Sequence, residues 1–161
     1  KVPDMILQLS DILSYSLYES GVEKIGLYKE LKLIKDFIAL EKERYEGRMQ
    51  VVIEMDEAID HTIEIAPLLL IPFVENAFKH GVKESTETIP VTISLTKEQR
   101  YLVFIVRNKV SNEDVTSGTR QGLGLKNLKR RLNLLYPESH KFETELTNGY
   151  FTATLKLLVY E

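Results

Sequence analysis

PLLLIPFVENAFKHG, the stretch Pro67–Gly81, is almost wholly apolar in its first half and changes character at Pro72. At about 100° per residue, Glu75, Asn76, Lys79 and His80 fall within one arc of a helix, and Phe73, Val74, Ala77 and Phe78 take the opposite arc. One side is built for a core, while the other gathers a carboxylate, an amide, an ammonium and an imidazole. A solvated helix face more often carries Glu and Lys alone, so the added Asn–His pair points to a site that handles a metal and an anion. A plainer reading also fits. Glu75 and Lys79 stand at i,i+4, a surface pair worth about 0.2–0.5 kcal/mol, and His80-Gly81 suits a helix C-terminus, where glycine tolerates the left-handed conformation. Pro72 inside the apolar run predicts a kink or a late helix start.

At 161 residues the chain can hold one full core plus an appendage. Its net charge of −3 does not build a field that attracts nucleic acid, so an anionic ligand must be held by local groups. The absence of cysteine excludes disulfides, thiolate metal sites and cysteine nucleophiles. No run approaches the ~18 apolar residues that read as a bilayer span, and no signal-peptide pattern is present. The chain opens inside a helical pattern, as a fragment of something longer would.

Upstream of the central stretch, Ile6, Leu9, Leu13 and Leu17 follow three- and four-residue steps, predicting an amphipathic helix over Pro3–Tyr18 that ends at Ser20-Gly21. A second helix is expected over Leu27–Tyr45, with Leu31, Ile34, Phe37 and Ile38 in its stripe. Two such helices form an antiparallel hairpin whose seam wants a partner, a second chain being the favoured one. Arg48–Asp56 reads as a strand, followed by a polar turn around Asp60. Downstream, Glu84–Thr88 reads as loop, and Ile89–Thr96 and Tyr101–Asn108 as a hairpin joined through Lys97–Arg100. Lys109–Gln121 lacks apolar periodicity and is expected to be a mobile loop. A helix over Leu123–Tyr136 carries Leu125, Leu128, Leu132 and Leu135 as its buried stripe and stops at Pro137. Lys141–Thr147 and Phe151–Val159 close the chain as a hairpin around Asn148-Gly149, a strong turn signal. The order ααβαββαββ predicts an α+β fold: a two-layer sandwich with helices on one face of a mixed, mostly antiparallel sheet.

Gly122-Leu123-Gly124-Leu125 stands where the polar loop becomes a helix. Its glycines let backbone come close to a ligand, and a helix N-terminus offers free N–H groups and a positive dipole end to phosphate. It fails as a dinucleotide fingerprint, because no strand leads into it and Asn127 stands where a third glycine would be. Lys126, Lys129, Arg130 and Arg131 on that helix fit a solvated face opposite the leucines better than a nucleic-acid patch, since no aromatic residues interleave with them. His61, His80 and His140 lie far apart without metal-ligand spacing; His61 and His140 read as exposed loop residues. No Ser–His–Asp arrangement can be read off the spacings.

Glu75-Asn76-Ala77-Phe78-Lys79-His80-Gly81, a strand ending at Asn108, a lid-like loop and Gly122-Leu123-Gly124-Leu125-Lys126-Asn127 together resemble the GHKL (Bergerat) ATP-binding fold, and more narrowly the LytS-like family of sensor histidine kinases. Leu9–Tyr18 and Leu27–Tyr45 resemble that family's linker region, so the likeness spans nearly the whole chain. It implies a helical linker and partial dimerisation region over residues 1–46 and a catalytic domain over residues 47–161. It also implies an ATP-dependent protein-histidine kinase that binds ATP and Mg²⁺ between the motif helix and the lid. By that resemblance Asn76 would give its amide oxygen to Mg²⁺, and Glu75 would act through a metal-bound water or as a polarising base. Lys79 and His80 would face the phosphates, the backbone of Gly122, Leu123, Gly124 and Leu125 would close over the triphosphate, and Asn108 would meet the adenine amino group. The implied partners are a phosphoacceptor helix of the same or a partner subunit, a response regulator and a second copy in a homodimer. The implied setting is the cytoplasmic portion of a membrane-bound bacterial sensor.

Two departures from the family pattern stand out. An adenine-binding Asp within D-x-G-x-G is replaced by Asn108-Lys109-Val110-Ser111-Asn112, and a neutral hydrogen bond contributes about 0.5–1.5 kcal/mol against 1.5–3 for a charged one. The phosphoacceptor histidine of these kinases precedes the first helix, in a segment this chain does not contain. The alternatives are a nucleotide-deficient dimerisation or signalling module of the same fold, motivated by Asn108, and another GHKL ATPase, such as a chaperone or topoisomerase domain or a kinase acting on serine, against which the helical lead-in argues.

Overall fold

Alternating apolar residues in the second half of the chain produce strands with one buried and one wet face. A computed structural model describes residues 23–45, 47–81, 88–110 and 123–160. The helix expected over Pro3–Tyr18, most of the loop Glu84–Thr88, the loop from residue 111 to 121, and Gly122 lie outside the described residues. The elements are β1 (Ile25–Gly26), α1 (Leu27–Arg44), β2 (Met49–Met55), β3 (Glu64–Ile65), α2 (Ile71–Gly81), β4 (Ile89–Glu98), β5 (Tyr101–Lys109), α3 (Leu123–Leu135), β6 (His140–Thr147) and β7 (Tyr150–Leu158). No helix among them is long and apolar enough to cross a membrane.

Five strands form one sheet in the order β2-β4-β5-β7-β6. β2 runs parallel to β4, and every other neighbour is antiparallel, so the sheet is mixed and mostly antiparallel as expected. Ile89, Val91, Ile93 and Leu95 of β4, Leu102, Phe104 and Val106 of β5, and Phe151, Ala153, Leu155 and Leu157 of β7 form one continuous apolar face. Helix α2 lies on that face through Phe73, whose ring meets Phe104 edge-on at 5.6 Å and Phe142 at 5.4 Å. Phe78 meets Phe37 of α1 at 5.5 Å. Leu27, Leu31, Leu33, Ile34 and Ile38 of α1 join the same core, so this helix is docked on the sheet layer.

Pro72 produces the late start: α2 begins at Ile71, and residues 67–70 form a turn instead of a first helical turn. A proline at the second helical position loses no bond, because its N–H would have had no intrahelical partner. Two features escaped the sequence. β1 and β3 pair as a two-residue antiparallel ladder, with Ile25 opposite Ile65, which ties the start of α1 to the approach to α2. The β4–β5 strands also run further than expected and turn at Gln99-Arg100, with Gln99 in the left-handed region at φ 54°.

The buried stripe of α3 needs one correction. Leu125, Leu128 and Leu132 are buried, but Leu135 is 48% exposed and Tyr136 takes the fourth place at 8%. A period of 3.6 carries the stripe from 132 to 136, and the Tyr136 hydroxyl accepts the Ala66 amide at 3.0 Å. His140 is corrected too: it opens β6 half-buried, with Nδ1 against the Tyr136 carbonyl.

The β6–β7 turn behaves as its Asn-Gly signal implies. Asn148 and Gly149 both have positive φ, 54° and 78°, the backbone of the tight turn whose twist matches the strands. A Cβ at Gly149 would meet no atom within 4 Å. The cost of Gly149→Ala is therefore purely conformational, about 1–2 kcal/mol, and should appear as a lower urea midpoint with an unchanged slope.

Candidate functional site

The site is built where α2 leaves the core and α3 begins. Phe73, Val74, Ala77 and Phe78 are each at most 2% exposed. That seating turns Glu75 and Lys79 to solvent and leaves Asn76 half-exposed, so the two arcs read from the sequence are separated as expected. His80 lies in the last turn of α2. Among the described residues Glu75 and Lys79 form no ion pair with each other, although their spacing permits one. The ammonium is left available to another anion.

Glu75 has a second carboxylate for company. Although the residue as a whole is exposed, neighbouring protein partly screens its carboxyl from water and pushes its pKa up, and the Glu41 carboxylate of α1 pushes it further the same way. Glu41 is itself buried, and burial raises its pKa, partly offset by Arg44 at 3.7 Å. A carboxylate raised in the folded state costs stability while it is ionised, and that cost fades as the pH falls through its folded pKa towards 4.5. Arg44 is largely exposed, so losing that ion pair weighs little. Glu41→Gln should accordingly raise the urea midpoint at pH 7, with the gain vanishing below the ordinary value of 4.5.

Asn108 lies on the core-facing row of β5, in register between Val91 of β4 and Phe151 of β7. It is 1% exposed. Its Nδ2 donates to the Lys109 carbonyl at 3.3 Å, while its Oδ1 is buried with no hydrogen-bond partner among the described residues. A buried acceptor without a donor costs about 1–3 kcal/mol, and none of the described residues offsets that cost here.

Gly124 is the second residue of α3, outside the left-handed region, and a Cβ there would meet nothing within 4 Å. Neither backbone conformation nor packing asks for glycine, and the space beside its Cα is open. Leu123 is the first residue of α3. Leu125 is a core side chain at 1% exposure, so only its backbone can meet a ligand. Lys126, Lys129 and Arg130 are exposed, as a solvated face would be. No cluster of three or more His, Asp or Glu suited to a metal exists among the described residues; the side-chain oxygens that α2 carries are those of Glu75 and Asn76.

Two residues hold this arrangement together: Glu30, which the sequence did not single out, and Arg131, which was expected on a solvated face with Lys126, Lys129 and Arg130 but is half-buried. Glu30 of α1 is fully buried; its Oε1 accepts the Leu70 and Ile71 amides at 2.9 and 3.3 Å, and its Oε2 accepts Leu68 N at 3.0 Å. Arg131 of α3 donates from NH1 to the Leu68 carbonyl at 3.2 Å. Their signal was legible in part: Glu30 and Glu41 both fall on the stripe of Leu27, Leu31, Ile34 and Ile38, where a carboxylate needs a reason. The contacts also fix directions. Glu30 with Leu70 and Phe37 with Phe78 advance together, so α1 and α2 run in the same sense. Arg131 with Leu68 and Tyr136 with Ala66 tie the C-terminal part of α3 and the residue after it to the segment that precedes α2.

Residues 1–49 match a family model described as histidine kinase. Over 142 residues the chain is 33% identical to the sensor histidine kinase YpdA of Escherichia coli, covering 83% of this chain and 25% of YpdA. It is 27% identical over 161 residues to the sensor histidine kinase/phosphatase LytS of Staphylococcus aureus, covering 92% of this chain and 27% of LytS. The chain thus spans about a quarter of the length of these curated relatives. The catalytic domain of the histidine kinase ThkA superposes with a TM-score of 0.57 at 15% identity, over 85% of this chain and 96% of that one. ThkA in complex with the response regulator protein TrrA gives 0.59 at 16% identity, over 96% and 48%.

Gly124→Ala should leave the urea midpoint within about 0.5 kcal/mol of wild type, since alanine is no worse than glycine in a helix. A marked loss of stability would mean that protein atoms fill the space beside the Gly124 Cα.

Proposed function

The chain belongs to the LytS-like sensor histidine kinase family and has the GHKL-type α+β fold, and on that footing we propose that it is the ATP-binding catalytic module of a two-component sensor. It transfers the ATP γ-phosphate to a histidine other than His61, His80 and His140, for relay to a response-regulator aspartate. In this reading residues 1–46 are linker and partial dimerisation region and residues 47–161 the catalytic domain, in the cytoplasmic portion of a membrane-bound homodimeric sensor.

The observation that carries the reading is the partnerless Asn108 Oδ1 on the apolar face at the end of β5. It suits a flat, largely apolar ring that brings one amino N–H, which is what adenine offers. The open space at Gly124 suits a phosphate approaching helical N–H groups. When bound, ATP supplies the transferable phosphoryl group, and Mg²⁺, a hard ion that prefers oxygen ligands, neutralises its charge.

The chain's own residues then bind and orient. Asn76 offers its amide oxygen to the metal, and Lys79 and His80 meet phosphate charge. Backbone N–H groups from Gly122 to Leu125 line the approach of the triphosphate, and Glu75 holds a water or accepts the proton of the attacking imidazole. Catalysis of this kind is mainly positioning and charge neutralisation, which a rigid α2 and a glycine-bearing helix start can provide.

Titration of the protein with an ATP analogue, with and without Mg²⁺, tests the site. Asn76→Ala should abolish the strengthening by Mg²⁺; an unchanged Mg²⁺ dependence would remove Asn76 from the metal. Asn108→Leu should weaken nucleotide binding at least tenfold while leaving the fold as stable or more stable by about 1 kcal/mol, because it removes a buried unpaired acceptor. Radiolabel from ATP should appear as an acid-labile phosphoryl group on histidine in a longer, N-terminally extended version of the protein. No nucleotide binding at all would favour the signalling module without nucleotide.

A further inference from the structure

Helix α2 carries the proposed ligand-binding side chains, yet its first turn contains no acidic residue and begins at a proline-marked break. Its starting N–H groups are served from elsewhere. The Glu30 carboxylate takes three amides of the turn at 2.9–3.3 Å from a fully buried position. It also places a negative charge at the positive end of the α2 dipole. Leu68, between these bonds, has φ 58°, a left-handed conformation costly for leucine. It persists because its N–H is held by Glu30 and its carbonyl by Arg131. The turn is therefore gripped from both sides, by the helix that enters from the linker and by the helix that follows the glycine segment.

We propose that Glu30 and Arg131 are positioning residues for the nucleotide site, setting where α2 starts and hence how Asn76, Lys79 and their neighbours are presented. The inference rests on the nucleotide-binding reading above and extends it: α1 is mechanically joined to that site, so a displacement of the linker helix is read at Leu68–Ile71 before it reaches Asn76. Neither side chain touches the ligand in this scheme. Both act through the backbone of the turn. A misplacement of a fraction of an ångström at the start of a rigid helix is carried along its length, and binding groups out of place lose strength steeply.

The test uses the 161-residue chain and four proteins: wild type, Glu30→Gln, Arg131→Met and Arg131→Lys. Amide hydrogen exchange is followed at Leu70, Ile71 and Phe73 and, as an internal standard, at Leu102–Val106. Binding of a non-hydrolysable ATP analogue with Mg²⁺ is measured in parallel. Glu30→Gln puts a donor against an amide donor, and Arg131→Met removes the carbonyl's partner. Each should speed exchange in the turn about tenfold with the sheet amides unchanged, and each should weaken the analogue about tenfold. Arg131→Lys, which can still donate to the Leu68 carbonyl, should restore both. Should Glu30→Gln fail to fold, the Arg131 pair decides alone. Unchanged exchange at Leu70–Phe73 in the variants overturns the proposal, as does wild-type affinity in a variant whose turn has loosened. If wild type itself does not bind the analogue, the nucleotide reading falls, and turn exchange then decides the grip by itself: faster exchange upholds it and unchanged exchange overturns it.

Discussion

A helix that starts inside a protein must find acceptors for its first amides and for the turn that leads into them. Here a carboxylate from another helix takes Leu68, Leu70 and Ile71 N, while Phe73 N bonds the Leu70 carbonyl. Glu30 uses both of its oxygens, and the rest of the architecture follows from where it must sit. For Glu30 to reach the turn, α1 has to lie alongside α2, and the β1–β3 ladder fixes the entry of α1 at the required distance. A buried carboxylate would be costly alone, but three donated hydrogen bonds and a helix dipole make it an organising group. Leu27, Leu31, Ile34 and Ile38 then seal the joint from water.

Around that joint the chain mostly obeys the ordinary rules of folding, and three departures from them fall on residues of the candidate site. Asn108 puts an amide in an apolar row, Gly124 keeps glycine where alanine fits, and Glu75 stands near the buried Glu41 without taking the Lys79 partner offered to it. Each departure lowers stability or leaves it unimproved. Local rules that fail without a gain for the fold are where a functional demand is looked for first.

The sheet, its hairpins and all three described helices were legible because their signals are local: alternation in β4, β5 and β7, the Asn148-Gly149 turn, and the split arcs of α2. Leu135 and Tyr136 were confused because one residue of helical drift separates them, and only the distant Ala66 amide favours the tyrosine. The β1–β3 ladder was invisible, since two residues carry no periodicity. Glu30 and Arg131 were missed for a related reason. Each reads as an ordinary charge on an amphipathic helix, and its meaning resides in a turn roughly 40 or 60 positions away. The residues of α2 could be named in advance; what holds α2 in place could not.

The exchange of a carboxylate for an amide at position 108 has a physical logic of its own. At 1% exposure, between Val91 and Phe151, an ionised carboxylate without a cation beside it would cost several kcal/mol. It would otherwise take up a proton and cease to be a charged acceptor. An amide remains neutral, bonds its own backbone through Nδ2, and leaves a single oxygen free at a cost of about 1–3 kcal/mol. A hydrogen bond that this oxygen accepts is weaker by roughly 1 kcal/mol than one a charged acceptor makes, but the apolar face then carries no buried charge. That balance suits a core that continues unbroken along β5, with one neutral acceptor set into the apolar face itself.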